Sequence, residues 1–381
     1  MGKAIVIGGG IGGLSAALGL RAAGWRVTVL ERATKFTALG AGITVWPNAL
    51  RALEELGLGD RLRPLLTARA SGALRDHEGR ELARFDGAAF ERRFGKPLIG
   101  LHRAQLIDLL RDALPRECLR TGVEVTSVTS EGGIVSGDGV REHADLVVAA
   151  DGIDSRARAA LWPAHAATVH AGFTAFRAVT DAGDSPPPGV TWGPGTEFGV
   201  VPLADDRRYW YASLAAGPGV RPVDVKAYLG RRLRDWPDDV RRLVEHTPAA
   251  AILQHDLRVL RRPLPSYVSG RTVLLGDAAH AMTPFLGQGG CQAIEDAVVL
   301  AAALARNHDM EQALARYDTE RGPRTRKVVR ASAFAGAVGN RPRHPLVIAA
   351  RNAVLRALPR SASIRRMAFT ADWTPPRIAG G

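Results

Sequence analysis

The feature that most constrains the fold is a glycine-rich turn between a short apolar strand and a helix near the N-terminus. Residues 3–8 are apolar and predict a strand, and the segment that follows has helical spacing up to a stop at Gly24. A second β-branched run, residues 26–31, predicts another strand. Strand, helix and strand within about 30 residues form a βαβ unit, which requires a parallel sheet and an α/β fold.

The glycine spacing of this turn indicates a dinucleotide site. Gly8 permits the tight turn, Gly10 lets the backbone approach a pyrophosphate, and Gly13 allows close helix–strand packing. The helix N-terminus would then face the anion. Glu31 ends the second strand, where a carboxylate can bind both hydroxyls of an adenosine ribose. Because a carboxylate would repel a 2′-phosphate, Glu31 favours FAD or NAD at this position.

Length and composition exclude several classes of protein. The chain has 381 residues, of which 46% are apolar and 23% charged, so two or three folded domains are expected and global disorder is not. Cys118 and Cys291 are too few for a disulfide framework, and their spacing predicts no metal site, so we expect a reducing, cytoplasmic location. No apolar run reaches the roughly 20 residues of a membrane-spanning helix. The glycines between Gly8 and Gly13 argue against a signal peptide.

Four further segments follow predicted strands or open predicted helices. Asp277 comes directly after the strand TVLL and could accept hydrogen bonds from sugar hydroxyls. The glycine-rich run 284–290 opens a long apolar helix, whose N–H groups would stabilise the negative charge of a reduced flavin. Asp151, after the strand DLVVAA, and Arg103, at a helix start, are candidates for phosphate, ribose or ribityl contact. For both residues a purely local structural role is the alternative.

The middle of the chain has a different residue pattern. Short strands alternate with turns between residues 166 and 265, and several aromatic residues fall there, which predicts an antiparallel sheet. From residue 271 the pattern of a strand, a loop and a long helix, typical of an α/β fold, returns. We therefore expect a discontinuous nucleotide domain (1–70, 98–165 and 268–320), a substrate domain (71–97 and 166–267) and a C-terminal helical segment (321–381).

Two strands of that sheet could line a substrate pocket. On EFGVVP, Phe198 and Val200 share one face and Glu197 lies on the other. On RRYWYA, Tyr209 and Tyr211 share a face, and the tryptophan between them lies opposite. One of these sets would line the pocket, and a tyrosine there could deprotonate or orient a phenol.

The motifs GxGxxG…E, DG and GDAAHxxxPxxGQG, in this order, resemble those of the FAD-dependent aromatic hydroxylases, the group A flavoprotein monooxygenases, over about residues 1–320. The loop GAGITVWPNAL (Gly40–Leu50) also resembles the family's loop that lies against the flavin. The resemblance implies an α/β fold like that of p-hydroxybenzoate hydroxylase. In it, a Rossmann-like FAD-binding domain is interrupted by an antiparallel substrate sheet and followed by C-terminal helices.

The resemblance also implies a set of site residues. The cofactor-binding residues would be Gly8, Gly10, Ile11, Gly12, Gly13, Glu31, Arg32, Gly42, Arg103, Asp151, Asp277, Pro284, Gly287, Gln288, Gly289 and Gly290. The catalytic candidates are Tyr209, Tyr211 and Pro284. His280 could be a base, although its place in the GDAAH motif favours a structural or flavin-supporting role. Cys291, at the helix start, is expected to pack rather than to act as a nucleophile.

The implied chemistry is that of a monooxygenase. FAD would be the cofactor and NADH or NADPH a transient co-substrate, and O2 would react at the reduced flavin to give a C4a-hydroperoxide that hydroxylates an aromatic or polycyclic small molecule. Epoxidation, or another flavin oxidation on the same scaffold, is the alternative. Urate-type relatives would carry a basic anchor near position 197, and Glu197 therefore disfavours urate as the substrate.

The positive charge is concentrated at the C-terminal end. The net charge is +13, and residues 321–381 hold 13 Arg or Lys but one acidic residue, Asp372. The alternatives are two helices with solvated arginine faces, a docking surface for an acidic carrier protein or an anionic membrane surface, or attraction of NADPH phosphates. Nucleic-acid binding is not expected, since aromatic residues are not interleaved with the arginines. Either a monomer or a homodimer fits the sequence.

Overall fold

The computed structural model of the protein describes residues 2–36, 41–67, 69–181, 183, 185–307 and 309–378. Their strands are, in chain order, β1 (Lys3–Ile7), β2 (Arg26–Glu31), β3 (Gly42–Val45), β4 (Gly72–Asp76), β5 (Glu81–Phe85), β6 (Ile99–His102), β7 (Leu119–Thr121), β8 (Val125–Val128), β9 (Gly133–Ser136), β10 (Arg141–His143), β11 (Leu146–Ala149), β12 (Thr168–Asp181), β13 (Gly189–Gly193), β14 (Thr196–Pro202), β15 (Arg207–Ala215), β16 (Leu253–Leu260), β17 (Val268–Ser269) and β18 (Thr272–Leu274).

The α-helices alternate with strands in the first third of the chain and dominate its last quarter. They are α1 (Ile11–Ala22), α2 (Pro47–Glu55), α3 (Gly59–Leu62), α4 (Gly87–Phe94), α5 (Arg103–Arg111), α6 (Arg156–Leu161), α7 (Val225–Arg232), α8 (Asp238–His246), α9 (Asp277–His280), α10 (Gly289–Arg306), α11 (Met310–Gly339), α12 (Pro345–Ala357) and α13 (Arg360–Ala371).

A six-stranded sheet, in the order β17-β18-β11-β1-β2-β7, forms the centre of the nucleotide domain. Its central strand β1 pairs in parallel with β2 and β11, and β18 pairs in parallel with β11. Apart from half-buried Lys3, β1 consists of buried apolar residues, as expected of a strand covered on both faces. Since parallel strands end at the same edge, the sequence motifs after β1, β2, β11 and β18 meet there.

A seven-stranded sheet, in the order β16-β12-β15-β14-β13-β4-β5, forms the second layer. The strands between residues 166 and 265 pair antiparallel, as predicted from the sequence, and β4 from the earlier segment adds to β13 in parallel. One face of the sheet packs on α7 and α8 and contains Phe198 stacked on Trp210, with ring centroids 5.5 Å apart. The opposite face therefore looks towards the nucleotide domain, and it carries Glu197, Tyr209 and Tyr211.

The C-terminal segment differs from the sequence expectation in two ways. The boundary expected after residue 320 falls inside the 30-residue helix α11, and the described part of the segment contains α11, α12 and α13 rather than two helices. Its arginines are not all solvated, because Arg321 is 1% exposed and Arg351 9% exposed. Among the described residues, no helix is both long and apolar enough to cross a membrane.

Candidate active site

The glycine-rich turn after β1 leaves the N-terminus of α1 open to a ligand. A Cβ atom on Gly13 would lie 1.8 Å from the carbonyl oxygen of Gly8, so the third glycine is required for the helix to pack against the turn. By contrast, no described atom lies within 4 Å of a Cβ built on Gly10. Ile11 and Gly12 begin the helix, and the Gly12 position touches Leu275 rather than the cleft. The turn can therefore place backbone N–H groups against a phosphate.

The Glu31 carboxylate at the end of β2 is held in place by backbone donors. The N–H of Gly9 donates to its Oε2 at 2.7 Å, and the N–H of Ala33 donates to its Oε1 at 2.8 Å. Each carboxylate oxygen has a further lone pair, so both can still accept hydrogen bonds from ribose hydroxyls. Arg32, the next residue, is exposed.

Arg103 and Asp277 face each other across the cleft. The Arg103 side chain has exposed surface, yet protein atoms crowd its guanidinium, and this desolvation lowers its pKa while Asp277 opposes the effect. In the described part of the chain the guanidinium of Arg103 makes no hydrogen bond. Its five donors are therefore available for an anionic ligand.

The two carboxylate oxygens of Asp151 differ in their hydrogen bonds. Its Oδ2 accepts hydrogen bonds from the N–H groups of Arg156 and Ala157 at 2.8 and 3.2 Å, so it caps α6. Its Oδ1 is buried and has no partner in the described structure. The Arg156 side chain pairs with Glu124 and not with Asp151. Since buried polar atoms normally have a partner, Oδ1 is consistent with a ligand contact.

The loop before α10 packs closely against strand β3, and we call the glycine-rich region along this contact the slot. Gly287 is left-handed (φ 62°), and a Cβ there would lie 2.4 Å from Thr44 Oγ1. A Cβ on Gly290 would lie 2.9 Å from Ile43. Pro284 is exposed at the start of this loop, and Gly289 begins α10, where Met282 Cγ would lie 4.0 Å from an added Cβ. Of the loop Gly40–Leu50, Gly40 lies outside the described residues.

Gln288 supports this loop from below. Its side chain is fully buried, and its Oε1 accepts hydrogen bonds from Asn48 and Gln292 at 3.1 and 3.0 Å. Asn48 Nδ2 also donates to Glu295 at 2.6 Å. The Gln288 side chain therefore positions the loop through its Oε1, while its buried Nε2 has no partner in the described structure.

His280 belongs to a buried ion network. Its Nε2 lies 2.6 Å from Asp296, and the Asp296 carboxylate also contacts the Arg321 guanidinium at 2.6 Å. Burial alone would raise the pKa of Asp296, but the charges of His280 and Arg321 lower it to about 2. The GDAAH motif is thus tied to α10 and α11, which agrees with a structural role for His280. Cys291 is buried, and desolvation raises the pKa of its thiol to about 12, which agrees with packing.

A row of polar side chains crosses the sheet face that looks towards the nucleotide domain. Glu197 is 4% exposed, and its Oε2 accepts a hydrogen bond from Trp192 Nε1 at 2.8 Å. The Tyr211 hydroxyl also hydrogen-bonds to Glu197. Desolvation raises the pKa of Glu197, the two hydrogen bonds oppose it, and the result is about 7. Near neutral pH this carboxyl group can therefore accept or donate a proton.

The two tyrosines of this face remain protonated at neutral pH. Burial raises the pKa of Tyr209, which Arg177 partly opposes, and raises that of Tyr211 further because of the nearby Glu197. The rings lie 5.9 Å apart, and Tyr209 packs against Gly42 at the start of β3. A phenol with a raised pKa is a hydrogen-bond donor rather than a base, so these tyrosines suit orientation and not deprotonation.

Uncommitted polar groups surround this row. Arg177 pairs with Tyr211 in the ladder and therefore shares its face, and within the described residues its guanidinium makes no hydrogen bond. His255 is next to it, and desolvation followed by the charges of Arg177 and Arg103 lowers its pKa. Ser213 Oγ is buried without a described partner. Such groups are expected where a polar ligand binds.

The fold and the cleft together define a flavoprotein. The strand-end glycines, the anchored Glu31, the uncommitted Arg103 and the slot beside β3 fit an extended dinucleotide with a flat ring. The sequence model of the FAD binding domain family matches residues 2–332, and the chain belongs to this family. It is an FAD-dependent monooxygenase of group A, with the fold of p-hydroxybenzoate hydroxylase.

Individual relatives share most of the chain. An aurachin C monooxygenase/isomerase from Stigmatella aurantiaca is 37% identical over 342 residues, which cover 88% of this chain and 89% of the relative. A 3-amino-4-hydroxybenzoate 2-monooxygenase from Streptomyces cremeus is 35% identical over 336 residues, covering 85% and 84%. The structure of Klebsiella pneumoniae HpxO complexed with FAD and uric acid superposes with a TM-score of 0.89 at 29% identity, covering 97% and 96%.

Several site residues were not identified from the sequence. Arg177 and His255 belong to no recognisable sequence motif. Only the strand register places them beside Tyr211. Asn48 and Arg321 also gave no signal by themselves. The adjacent acids Glu295 and Asp296 could have been found, because two carboxylates inside an apolar helix require buried cationic partners.

Proposed function

We propose that this protein inserts one oxygen atom of O2 into an aromatic or polycyclic small molecule whose ring carries a neutral hydrogen-bond donor, either a phenolic hydroxyl or a ring N–H. The observation that carries this proposal is the buried Glu197, held by Trp192 and Tyr211 on the sheet face opposite the FAD slot. A carboxyl group there disfavours an anionic ring, because two negative charges would be buried together.

The chain's own residues would hold the cofactor in three groups. We assign the ADP half to Gly8, Gly10, Ile11, Gly12, Gly13, Glu31 and Arg32, the pyrophosphate and ribityl to Arg103, Asp151 and Asp277, and the ring to Gly42, Pro284, Gly287, the Gln288 backbone, Gly289 and Gly290. FAD, when bound there, would supply the redox chemistry of the reaction, in which NADH or NADPH provides the electrons, one oxygen atom of O2 enters the substrate and the other is reduced to water. The N-terminus of α10 stabilises negative charge in the slot.

The substrate-side residues would divide the work between them. Glu197 accepts the proton of the substrate donor, which makes the ring more electron-rich and a better nucleophile. Tyr209 and Tyr211 donate hydrogen bonds and fix the ring plane. Arg177 offers its free donors to a carbonyl or a developing oxyanion on the substrate. Phe285, whose ring lies 5.0 Å from Phe173 in an edge-on contact, helps to exclude water from the slot.

The relatives support an aromatic substrate without naming it. One carries aurachin C and another 3-amino-4-hydroxybenzoate in its name, and the structural neighbour is complexed with uric acid. We expect a neutral ring to suit this pocket better than urate or a benzoate, because Glu197 lies where a basic anchor is expected of urate-type enzymes.

The test is oxidation of NADH and NADPH by the FAD-loaded protein in air. The panel would contain quinolones, aminophenols, phenols and urate, each beside its N-methyl or O-methyl derivative. We expect a ring with a free donor to accelerate the oxidation and to gain one ¹⁸O atom from ¹⁸O2, and its methylated derivative to be inactive. Equal turnover of both members of every pair would contradict the role of the donor. NAD(P)H oxidation that yields only hydrogen peroxide across the panel would contradict the oxygen insertion.

Two variants connect the activity to the proposed residues. Glu197→Gln keeps the hydrogen-bonding shape but cannot take a proton, and Tyr211→Phe removes one hydroxyl. We expect both to lower kcat/KM by about 10²-fold, the range of a general acid–base contribution, while FAD content is unchanged. Tyr228→Phe is the matched control, because Tyr228 packs against Phe176 on the opposite face of the same sheet.

A further inference from the structure

Five exposed apolar side chains lie on the consecutive helices α11 and α12, and we call them together the C-terminal apolar surface. Phe334 and Val338 of α11 are 69% and 37% exposed. Leu346, Val347 and Val354 of α12 are 74%, 53% and 62% exposed. Exposed apolar side chains are ordinary when scattered singly, but five on two consecutive helices mark an interaction surface.

The orientation of α12 is the reverse of that of an ordinary surface helix. Its buried side carries Arg351 and Asn352 beside Ile348, whereas its exposed side carries leucine, valine and alanine. The orientation is fixed by specific contacts, because Arg351 Nη1 donates to the Gly339 carbonyl at 2.6 Å and its guanidinium lies 5.2 Å from the Trp192 ring centre. The apolar side therefore faces outwards in the folded protein.

The surroundings of this surface are strongly basic. Between Glu320 and Asp372 the sequence contains no acidic residue. Arg330, one helical turn before Phe334, is exposed, and so are Arg341 and Arg343 in the connection between α11 and α12. At the far end of α12, Arg356 forms an ion pair with Asp76 of β4. Among the described residues, Asp76 is the acidic residue that pairs with a side chain of α12.

We propose that the C-terminal apolar surface docks on an anionic lipid bilayer. Lipid tails would take up the apolar side chains, and anionic headgroups would neutralise the arginines beside them, which is the combination that binds interfacial helices. A symmetric contact with a second copy would bring the arginines of both copies together. An acidic protein would match the charge, but the apolar side chains project from two separate helices rather than from one anchor position, which suits a fluid surface better.

This docking would bring the bilayer next to the substrate pocket. The side of α11 opposite Phe334 packs on the pocket, because Gly336 touches Phe285 and Gly339 touches Trp192. One helix thus separates the two. A lipophilic ring dissolved in the bilayer would have a short path to the pocket. This consequence rests on the proposed function, whereas the docking itself does not.

The experiment is co-sedimentation of the full-length, FAD-loaded protein with vesicles. One set contains equal parts phosphatidylglycerol and phosphatidylcholine, and the other phosphatidylcholine alone. We expect at least about tenfold tighter binding to the anionic vesicles, with binding weakened but not abolished by 0.5 M salt, since roughly 1 kcal/mol per arginine corresponds to about fivefold for each charge. No binding to anionic vesicles at low salt would overturn the proposal.

The double variant Leu346→Ser/Val354→Ser tests the apolar contribution. Both side chains are exposed, so we expect unchanged FAD content and thermal stability but at least about tenfold weaker vesicle binding. Val223→Ser is the matched control, because Val223 is fully exposed in the substrate domain, away from the basic segment. Equal binding by the double variant and the wild type would overturn the proposal. Concentration-dependent dimerisation that the double variant loses, without vesicle binding, would assign the surface to a second copy instead.

Discussion

Glu197→Gln should change the pH dependence of stability in a way that can be calculated from the structure. Burial raises the pKa of Glu197 from its usual 4.5 to about 7 in the folded protein. Each pKa unit is worth about 1.4 kcal/mol, so the protonation preference corresponds to roughly 3 kcal/mol. Because Glu197 is only 4% exposed, solvent screens its interactions little.

The sign follows from proton linkage. Between the unfolded pKa near 4.5 and the folded pKa near 7, the folded protein holds a proton on Glu197 that the unfolded chain has released. The free energy of unfolding therefore falls as pH rises through this window. The full stabilising contribution of protonated Glu197 is present only below the unfolded pKa. A glutamine at this position cannot titrate. The stability of Glu197→Gln relative to the wild type should then rise by roughly 3 kcal/mol between pH 4.5 and pH 8.

Urea denaturation of the FAD-loaded proteins from pH 5 to pH 8 measures this difference. Comparing the two proteins at each pH removes the contribution of every other titrating group, because those groups are common to both. Glu245→Gln, a charge removal at an exposed site on α8, is the matched control for the loss of a carboxylate. A difference for Glu197→Gln that stays constant within about 1 kcal/mol would refute the reasoning.

Three further outcomes follow from particular contacts. Gly13→Ala should fail to fold stably, because its Cβ would lie 1.8 Å from a carbonyl oxygen, whereas Gly10→Ala should fold and lose FAD affinity by about tenfold or more in a fluorescence titration; full FAD affinity in Gly10→Ala would contradict the assignment. Arg103→Ala should weaken FAD binding about 10- to 100-fold without a loss of thermal stability of the apoprotein, and normal affinity would remove it from the site. Arg321→Leu should cost about 3–5 kcal/mol in urea unfolding because it removes the buried cation shared by Glu295 and Asp296, which then keep only Arg324 and His280 as charged partners. Arg316→Leu, from an exposed pair with Glu320 on the same helix, should cost under about 1 kcal/mol; equal costs would contradict the buried network.

Much of the nucleotide domain could be predicted because its signals are local. The strand, the glycine turn and the helix lie within one short stretch, and each glycine answers a steric demand of that stretch. The loop 284–290 could likewise be located, since a helix that opens with several glycines is unusual. The tail was less predictable, because its basic composition does not distinguish solvated arginines from arginines such as Arg321 and Arg351, whose partners lie on other helices.

The amino-acid sequence is enough to predict a parallel nucleotide-binding core, a dinucleotide across its strand ends and a second sheet as the opposite wall. These properties depend on the spacing of residues within single strands, turns and helices, which can be read from the sequence. Which face of the second sheet meets the cofactor side depends instead on tertiary packing. Alternation permits both faces, and the packing of Phe198 and Trp210 on α7 and α8 is what turns Glu197 and Tyr211 inwards. The uncommon pKa of Glu197 and the outward apolar side of α12 are likewise tertiary properties, since burial and orientation arise only when elements distant in sequence come together.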